Sequence, residues 1–242
     1  MTDTQNPSAL SAKNTSQADQ SIDFSMVIAS AVHDMKNSLG MLLNSLDELR
    51  QEHGEQLSGT RGFNTLQYEA ERVHNDLVQL LGIYRLGEQT LSAHIEEHFV
   101  PDFLQENLAR HTPLLDGLGI QCSVAADDLL GFFDEDLLTG VLNNTINNAI
   151  RYTRSRIHLT ARQQDDYLVI GVEDDGRGYP ESMQHSGPVS FGSLDFNSGS
   201  TSLGLFFAST VAQLHNQGGR KGEIRLRNGG QFGGGVFEIW LP

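Results

Sequence analysis

Residues 21–51 read SIDFSMVIASAVHDMKNSLGMLLNSLDELRQ, and this stretch decides the N-terminal part of the fold. Its large apolar residues are spaced alternately four and three positions apart, at Ile28, Val32, Met35, Leu39, Leu42, Leu46 and Leu49. Such heptad spacing predicts a helix with a narrow apolar stripe that packs against another helix. His33 follows a stripe position and Asn37 lies about one turn further on, so we expect both side chains on the exposed side of the helix. A second protein or domain could then reach the histidine.

The sequence on either side of this helix predicts a disordered tail and a helical hairpin. Residues 1–20 are rich in Ser, Thr, Asn, Gln and Ala, which is typical of a disordered tail. A second heptad stripe in residues 62–87 comprises Phe63, Leu66, Ala70, Val73, Leu77, Leu80 and Tyr84. Two stripes joined by a short loop predict an antiparallel hairpin within residues 21–91. Because one hairpin cannot bury both stripes, we expect a homodimer whose two hairpins form a four-helix bundle.

Composition narrows the classes of function. The 242 residues contain 16 Lys+Arg and 31 Asp+Glu, and the net charge of −15 disfavours binding to nucleic acid or to anionic membranes. Cys122 is the only cysteine, so an internal disulfide is excluded. The sequence shows no apolar run near the roughly 20 residues that span a bilayer, and its N-terminus lacks the layout of a signal peptide. We therefore expect a cytoplasmic protein with no membrane span.

From residue 92 onward the pattern changes to mixed helices and strands. Apolar periodicity predicts helices over residues 101–118, 135–152 and 203–215. Strands are predicted over residues 94–100, 120–125, 131–133, 156–162, 167–173, 223–227 and 236–241. Residues 179–201, rich in Ser, Gly and Asn, are predicted to form a long loop. The fold class is therefore α+β, with a helical hairpin in residues 21–91 and a separate α/β domain in residues 92–242.

The stretch VLNNTINNAIRYT, residues 141–153, places four asparagines within six positions of a predicted helix. Asn144 and Asn148 are four residues apart and so share a face. Asparagine is unfavourable inside a helix, so the presence of four asparagines here needs an explanation. Its amide oxygen is a hard ligand, and a Mg²⁺ ion that already holds phosphates needs only one or two such ligands from the protein. The stretch favours a metal and phosphate site; the alternative is a polar helix face without a ligand.

Two further stretches have the composition of a nucleotide site. In EDDGRGYP, residues 173–180, a carboxylate at the end of an apolar strand can accept a hydrogen bond from an exocyclic amine such as that of adenine. Gly176 and Gly178 would let the backbone approach a ring closely. In GSTSLGLFFA, residues 199–208, a loop of small residues enters a helix, where free backbone N–H groups favour phosphate. The alternatives are an ordinary acidic turn and a flexible loop that caps a helix.

In their order along the chain, these stretches resemble the conserved boxes of two-component sensor histidine kinases. HDMKN at residues 33–37 resembles the H box of the dimerisation and phosphotransfer hairpin. Residues 144–153 resemble the N box, residues 174–178 the G1 box and residues 200–205 the G2 box. The ending GGVFEIWLP is similar to the last strand of the ATP-binding domain of that family, which has the Bergerat (GHKL) fold. The resemblance implies an α/β sandwich of that type in residues 92–242.

For the hairpin, the resemblance implies a phosphoacceptor. His33 would attack the γ-phosphate of ATP and become a phosphohistidine. Asp34 would act as general base or hold the imidazole in its reactive tautomer. Asn37 matches the position at which such kinases orient a water molecule to dephosphorylate their response regulator.

For the α/β domain, the resemblance implies a site for ATP and Mg²⁺. Asn148 would hold Mg²⁺ with Asn144 as a second polar contact, and Asp174 would bind the adenine amine. Arg151 would lie near the phosphates and Tyr152 near the base. The remaining implied contacts come from the G1 and G2 boxes, at Gly176, Gly178, Ser202, Leu203 and Gly204.

The implied function is a soluble ATP-dependent protein-histidine kinase that transfers the phosphoryl group to an aspartate of a separate response regulator receiver domain and also acts as its phosphatase. A separate sensory protein would supply the signal. The G2 box departs from the family pattern G-x-G-L-G-L, because Ser200 and Ser202 stand at the first two glycine positions. This departure favours one alternative, a phosphatase or phosphotransfer module with a weakened ATP site. Another alternative is a non-enzymatic regulatory binding protein of the GHKL fold, which would not need the hairpin.

Overall fold

The computed structural model describes residues 24–57, 61–87, 92–184 and 200–242. The tail predicted for residues 1–20 lies outside the described residues, as does most of the loop predicted for residues 179–201. Among the helices of the described ranges, none combines the length and the apolar character needed to cross a membrane.

Two long helices form the predicted antiparallel hairpin, α1 at Phe24–Leu57 and α2 at Arg61–Gly87. α1 runs beyond residue 51 to Leu57, across a kink at His53, where φ is −126° and ψ is 24°. The two helices are in contact along the hairpin. The side-chain amide of Gln67 on α2 donates a hydrogen bond to Asp47 Oδ1 on α1 at 3.4 Å.

Each apolar stripe of the hairpin is buried only in part. Val32, Leu46 and Ala70 are 6–7% exposed and lie in the interior of the hairpin. Six further members are exposed at seven-residue intervals on each helix and form what we call the exposed stripe, Met35, Leu42, Leu49, Leu66, Val73 and Leu80. A continuous apolar surface with heptad spacing is the arrangement that packs against further helices.

In residues 92–184 and 200–242 the structure has three α-helices, a 3-10 turn at Glu181–Met183 and three sheets. In chain order the elements are β1 (Glu96–Phe99), α3 (Val100–Leu118), β2 (Gln121–Ala126), β3 (Leu130–Phe133), α4 (Glu135–Tyr152), β4 (Arg156–Gln164), β5 (Tyr167–Asp174), α5 (Ser200–Leu214), β6 (Asn216–Gln217), β7 (Arg220–Lys221), β8 (Glu223–Gly229) and β9 (Gly234–Leu241). The main sheet has the strand order β2-β4-β5-β9-β8. In it β2 is parallel to β4, and every other neighbouring pair is antiparallel. The predicted α+β fold class is confirmed. In the described ranges the short β6–β7 pair and a 3-10 turn at Glu181–Met183 were not predicted.

α4 begins and ends at the predicted residues because its ends have strong signals. The Asp134 side chain accepts a hydrogen bond from the Leu137 N–H at 2.9 Å and caps the helix. Glu135 and Asp136 in the first turn and Arg151 in the last turn complement the helix dipole. These signals fix the position of the asparagine-rich stretch relative to the sheet.

The core lies between one face of the main sheet and the helices α3, α4 and α5. Its buried members include Leu104 of α3, Leu142 and Ile146 of α4, Ala208 of α5, and Ile170 and Ile239 of the sheet. Alternation along β5 and β9 sends every second side chain to this core and the others to the opposite face.

On that opposite face, arginines surround Glu238 and Trp240. Glu238 accepts hydrogen bonds from Arg162 at 3.0 Å and from Arg227 at 3.2 Å. Burial by itself would raise the pKa of Glu238, but these two guanidinium groups lower it below its ordinary value, so the carboxylate stays charged. The Arg225 guanidinium lies 3.6 Å from the centre of the Trp240 ring.

The hairpin packs against the α/β part through α2, which contacts α4 and α5. The ring of Phe207 from α5 lies between Gly82 of α2 and Gly140 of α4. A Cβ atom would come within 2.8 Å of this ring at Gly82 and within 3.2 Å at Gly140. Phe207 is only 4% exposed, so the ring has little room to move aside.

Candidate functional site

A cleft of about 150 Å³ opens between the C-terminal half of α4 and the segment that follows β5. It brings together Asn148, Tyr152, Asp174 and Gly178, four residues that the sequence placed in one site. The remaining lining residues were not predicted, and they are Ala149, Arg177, Tyr179, Pro180, Met183 and Gly235. A largely apolar cleft with a few convergent polar groups is typical of a small-molecule site.

Asp174 is the buried acidic group of the cleft. Its Oδ1 accepts hydrogen bonds from the Gly176 N–H at 2.6 Å and from the Gly235 N–H at 3.2 Å. Both bonds go to Oδ1, so Oδ2 can accept a hydrogen bond from a ligand. Burial raises the pKa of Asp174, and the two backbone hydrogen bonds offset part of this effect.

Glycines allow the backbone to come close to this carboxylate. A Cβ atom at Gly235 would lie 2.8 Å from Asp174 Oδ2 and 3.1 Å from the Tyr179 ring. At Gly176 a Cβ atom would collide with the backbone oxygen of Tyr152. Gly178 has φ +78°, a conformation that other residues rarely adopt. Of the two glycines of the predicted G1 box, Gly176 is therefore required by its close contact with Tyr152, and Gly178 is required by its backbone conformation.

Two tyrosines and an arginine complete the cleft. Burial, followed by the charge of Asp174, raises the pKa of Tyr179, so its phenol stays neutral and can donate a hydrogen bond. The Arg177 guanidinium lies 5.0 Å from the centre of the Tyr152 ring. The planar side chains of Tyr152, Tyr179 and Arg177 on the walls of the cleft suit a ligand with a planar ring.

Asp175, next to Asp174, connects the end of β5 to the loop that follows α4, and it was not among the predicted site residues. Its carboxylate accepts five hydrogen bonds. Two come from the hydroxyl groups of Thr153 (2.6 Å) and Ser155 (2.8 Å). Three come from the backbone N–H groups of Arg154 (2.8 Å), Ser155 (2.9 Å) and Arg156 (3.1 Å). Burial alone would raise the pKa of Asp175, but these hydrogen bonds lower it well below its usual range. Asp175 therefore fixes α4, which carries Asn148 and Tyr152, relative to Asp174.

A second, narrow space of about 10 Å³ lies between α4 and α2. Asn148 lines both this space and the cleft, so the two adjoin. The other lining residues are Asn144, Asn147 and Arg151 of α4 and Tyr68, Arg72, Asn75 and Asp76 of α2. Asn147 is 8% exposed, and neither atom of its side-chain amide has a hydrogen-bond partner in the described structure. An unpaired buried amide is unfavourable and is a common feature of sites that bind a ligand.

The predicted G2 residues lie where α5 begins. Ser202, Leu203 and Gly204 are within its first two turns. A Cβ atom at Gly204 would collide with the side-chain amide of Asn144. The absence of a side chain at Gly204 thus allows α5 to approach α4 at the position of the first N-box asparagine.

His33, Asp34 and Asn37 lie together on the surface of α1. The His33 side chain is 52% exposed, and its Nδ1 lies 3.6 Å from Asp34 Oδ1. The side-chain nitrogen of Asn37 lies 3.4 Å from the same ring atom. Both neighbours therefore approach Nδ1. The Asn37 amide nitrogen can only donate, so it pairs with Nδ1 in the tautomer that carries its proton on Nε2. In the other tautomer the Nδ1 proton faces Asp34 and the lone pair of the ring lies on Nε2.

Residues 133–242, which include every residue that lines the cleft, match the family described as "Histidine kinase-, DNA gyrase B-, and HSP90-like ATPase". This region belongs to that family of ATPase domains. In this ATPase domain α4 and the segment after β5 form the cleft.

Sensor proteins are similar to a larger part of the chain than the ATPase domain alone. The alginate biosynthesis sensor protein KinB of Pseudomonas aeruginosa is 31% identical over 173 residues, which cover 69% of this chain and 27% of KinB. The virulence sensor histidine kinase PhoQ of Salmonella typhimurium is 26% identical over 153 residues, which cover 63% of this chain and 31% of PhoQ. The chain thus spans about a third or less of these two relatives.

The solved structure of the Acinetobacter baumannii histidine kinase AdeS has the same fold. Its TM-score is 0.55 at 15% identity, and the match covers 86% of this chain and 96% of that chain. The matched ATPase family and the two similar sensor proteins confirm the resemblance to two-component sensor histidine kinases.

The donors around Asn148 suit a phosphate-bound Mg²⁺ ion. Mg²⁺ takes hard oxygen ligands and keeps several waters, so it needs few groups from the protein. The amide oxygen of Asn148 is such a ligand, at the border between the cleft and the narrow space. The unpaired Asn147 amide lies next to it in the same space and could bind a coordinated water. The residues present fit the ion.

Proposed function

We propose that this chain is an ATP-dependent protein-histidine kinase that autophosphorylates His33 and passes the phosphoryl group to an aspartate of a separate response regulator. The observation that carries the proposal is the buried Asp174 carboxylate, held by two backbone N–H groups at the base of an apolar cleft. An acceptor fixed in this way can bind an exocyclic amine, which adenine has and guanine lacks at the corresponding position. The exposed His33 is the proposed acceptor of the phosphoryl group.

In this proposal ATP lies with its base against Asp174 and its phosphates toward α2. Tyr152 and Tyr179 flank the base, and Asn148 holds Mg²⁺ where the two spaces adjoin. Arg151 lies on the phosphate side. Mg²⁺ supplies neutralisation of the charge that develops on the phosphates, and the side chains of the chain supply mainly position.

His33 is the nucleophile of the proposed transfer. A ring nitrogen forms a bond to the γ-phosphorus, the bond from that phosphorus to the β,γ-bridging oxygen breaks, and ADP leaves. In the proposed reaction Asp34, whose Oδ1 lies 3.6 Å from Nδ1, moves within hydrogen-bond distance and holds the Nδ1 proton, which keeps Nε2 unprotonated and stabilises the positive charge that the ring gains. Asn37, on the same surface, would direct a water molecule at the aspartyl phosphate of the regulator in a separate phosphatase reaction, which breaks the bond between phosphorus and the aspartate oxygen and releases inorganic phosphate.

The proposed active form is a homodimer in which the exposed stripe of one hairpin packs against that of a second copy. Six large apolar side chains at heptad spacing on two adjacent helices form a surface of the right shape for a four-helix bundle. The other proposed partners are the receiver domain of the response regulator and a separate sensory protein.

Autophosphorylation tests the proposal directly. Incubation of the full chain with γ-labelled ATP and Mg²⁺ should place an acid-labile, alkali-stable label on the protein, and His33→Gln should abolish it. The matched control is His53→Gln, because His53 is an exposed histidine of the same helix and should keep the label. Label retained in His33→Gln and lost in His53→Gln would refute the assignment of the phosphoacceptor. No label in any of the proteins would refute kinase activity.

A further inference from the structure

The two-stranded antiparallel ribbon of β1 and β3 has an apolar face that is exposed to solvent. In its register Phe99 is the cross-strand partner of Leu130, and Phe132 is the partner of Glu97. Cross-strand partners lie on the same face of an antiparallel pair, as do residues two positions apart on one strand. Phe99, Leu130 and Phe132 are therefore neighbours, and they are between 42% and 56% exposed. We call these three side chains, with Glu97, the outer ribbon face.

The opposite face of the ribbon is fixed to the core of the ATPase domain. Phe133 is fully buried, and its ring centre lies 4.7 Å from that of His98 and 4.8 Å from that of Phe103. A Cβ atom at Gly131 would come within 2.6 Å of the Leu168 side chain, so the ribbon packs closely on the main sheet. The outer ribbon face is thus a preformed surface, which a partner can bind without first ordering it.

The outer ribbon face is separate from the other surfaces to which we assign a role. Exposed apolar side chains are common singly, whereas several adjacent large ones mark an interaction site. The exposed stripe lies on α1 and α2. In the described part of the chain, no residue that lines the cleft belongs to β1 or β3. Neither dimerisation through the hairpin nor nucleotide binding therefore accounts for this apolar face.

The surroundings of the ribbon are acidic. Exposed carboxylates lie within β1, directly before β3 and just after it, at Glu96, Glu97, Asp127, Asp128, Glu135 and Asp136. Arg110 is the only Lys or Arg in residues 92–150 of the sequence. The basic side chains near these carboxylates in the described structure are histidines, with His94 3.5 Å from Glu96 and His98 3.8 Å from Glu135. The ribbon therefore lies in a region of negative potential.

This negative potential determines which kind of partner fits. A second copy of the ribbon would bring its own carboxylates opposite these, and like charges across an interface are unfavourable. An anionic membrane surface would be repelled for the same reason. A polypeptide segment whose apolar side chains are flanked by Lys or Arg matches both properties of the ribbon. Its apolar groups would cover the outer ribbon face, and its cations would reach the surrounding carboxylates.

We propose that the outer ribbon face is a docking surface for a basic amphipathic segment of another protein. Such a segment buries Phe99, Leu130 and Phe132 under its apolar side and pairs its Lys or Arg side chains with the carboxylates around the ribbon. β1 is the first described element after α2, so the partner lies where the chain passes from the hairpin into the ATPase domain. This inference depends neither on the proposed nucleotide site nor on the phosphoacceptor.

A model peptide tests the chemistry of the partner. The probe is a fluorescein-labelled helix of about 14 residues with leucine on one face and lysine elsewhere. Its anisotropy is followed as the full chain is added at about 0.1 M salt. Two control peptides carry glutamate in place of lysine, or serine in place of leucine. The Leu/Lys peptide should bind about tenfold or more tightly than either control, because it alone combines the apolar side with the positive charge.

A pair of apolar variants locates the binding site. Leu130→Ser combined with Phe132→Ser should weaken binding of the Leu/Lys peptide about tenfold or more, since two large apolar contacts are lost. The matched control is Met41→Ser combined with Leu118→Ser, which removes exposed apolar side chains from other surfaces and should leave the affinity unchanged. Unchanged circular dichroism spectra check that the variants keep the fold.

A pair of charge variants tests the acidic surroundings. Glu97→Gln combined with Asp128→Asn should weaken binding about three- to fivefold at about 0.1 M salt, and the difference should shrink at about 0.5 M salt because of screening. Glu48→Gln combined with Glu52→Gln on α1 removes the same charge elsewhere and should have little effect. All four carboxylates are exposed, so these variants remain informative if the serine pair does not fold.

Each contrary result overturns a stated part of the inference. A Leu/Lys peptide that does not bind to the parent, or that binds equally to the ribbon variants and to their controls, overturns the docking surface. Equal binding of the Leu/Glu peptide overturns the basic character of the partner. Equal binding of the Ser/Lys peptide shows that charge alone attracts the probe and that the apolar face is not used.

Discussion

Replacement of Asp175 is expected to destabilise the ATPase domain in a way that depends on pH. The carboxylate accepts five hydrogen bonds from residues 153–156, and a hydrogen bond to a charged group contributes about 1.5–3 kcal/mol. These contributions do not add fully, and Arg154 and Ser155 are exposed, so water replaces part of what is lost. We therefore expect Asp175→Ala to lower the free energy of unfolding by about 2–4 kcal/mol, and Asp175→Asn, which keeps one acceptor oxygen, by about 1–2 kcal/mol.

The effect of pH has a definite sign. The pKa of Asp175 is lower in the folded protein than in the unfolded chain. Its contribution is therefore fully present above the unfolded pKa near 3.9 and is lost as the pH falls toward the folded value. The difference in unfolding free energy between the parent and Asp175→Asn should be constant from about pH 5 to 7 and should shrink by up to about 1.4 kcal/mol per pH unit below about pH 4. The raised pKa of Asp174 has the opposite effect, but it is present in both proteins and largely cancels in the difference.

Urea unfolding followed by circular dichroism between pH 3 and 7 measures this difference. Asp128→Asn is a suitable control, because Asp128 is exposed and its replacement should change the free energy of unfolding by less than about 0.5 kcal/mol. A difference between parent and Asp175→Asn that stays the same down to pH 3 would refute the assigned role of the charge. A loss no greater than in the control would refute the role of the hydrogen bonds.

Three further predictions concern the nucleotide, the dimer and the regulator. Asp174→Asn should weaken ATP binding about tenfold or more, measured by calorimetry, because a charged acceptor for the adenine amine is lost; GTP that competes with ATP equally well for the parent would contradict this. Leu42→Asp combined with Leu49→Asp, at side chains 44% and 43% exposed in one chain, should yield monomers in sedimentation, whereas Met41→Asp beside the stripe should not. A double variant that remains dimeric would show that the exposed stripe is not the interface. Asn37→Ala should leave autophosphorylation intact and slow dephosphorylation of the cognate regulator; an unchanged dephosphorylation rate would make Asn37 a surface residue only.

The elements of the fold were largely predictable because their signals are local. α4 was predicted from its apolar periodicity at about residues 135–152, and the cap that Asp134 provides explains why the helix begins there. The kink of α1 at His53 was not predicted, because the heptad spacing continues to Leu49 and indicates a stop without a bend. β6 and β7 are two residues each, too short for an alternating pattern to be visible.

The site was predictable only where a residue type carries its own chemistry. Asp174, Asn148 and Tyr152 come together in the cleft from separate stretches of sequence. Asp175 and Gly235 could not be selected, because their roles depend on which strands become neighbours. Gly235 reaches Asp174 only through the pairing of β9 with β5.

The packing of α2 on the ATPase domain had no signal in the sequence. Tyr68, Asp76 and Gly82 look like ordinary members of the polar face of a hairpin helix. Their role emerges from contacts with α4 and α5, which lie about 60 to 130 residues further along the chain. Heptad periodicity identifies the apolar face that packs within a bundle. It contains no information about a second, polar face of the same helix that also packs.

The position of Trp240 provides a spectroscopic means to separate the two parts of the molecule. It is the only tryptophan of the chain, and it lies in β9 at 5% exposure with the Arg225 guanidinium over its ring. Its intrinsic fluorescence therefore reports on the sheet and not on α1 and α2, whereas the far-ultraviolet dichroism of the protein has a large contribution from these two long helices. Emission and dichroism melting curves that coincide would indicate that hairpin and sheet unfold as one cooperative unit. If the two curves have different midpoints, the emission curve reports the unfolding of the sheet and the dichroism curve reports mainly the unfolding of α1 and α2.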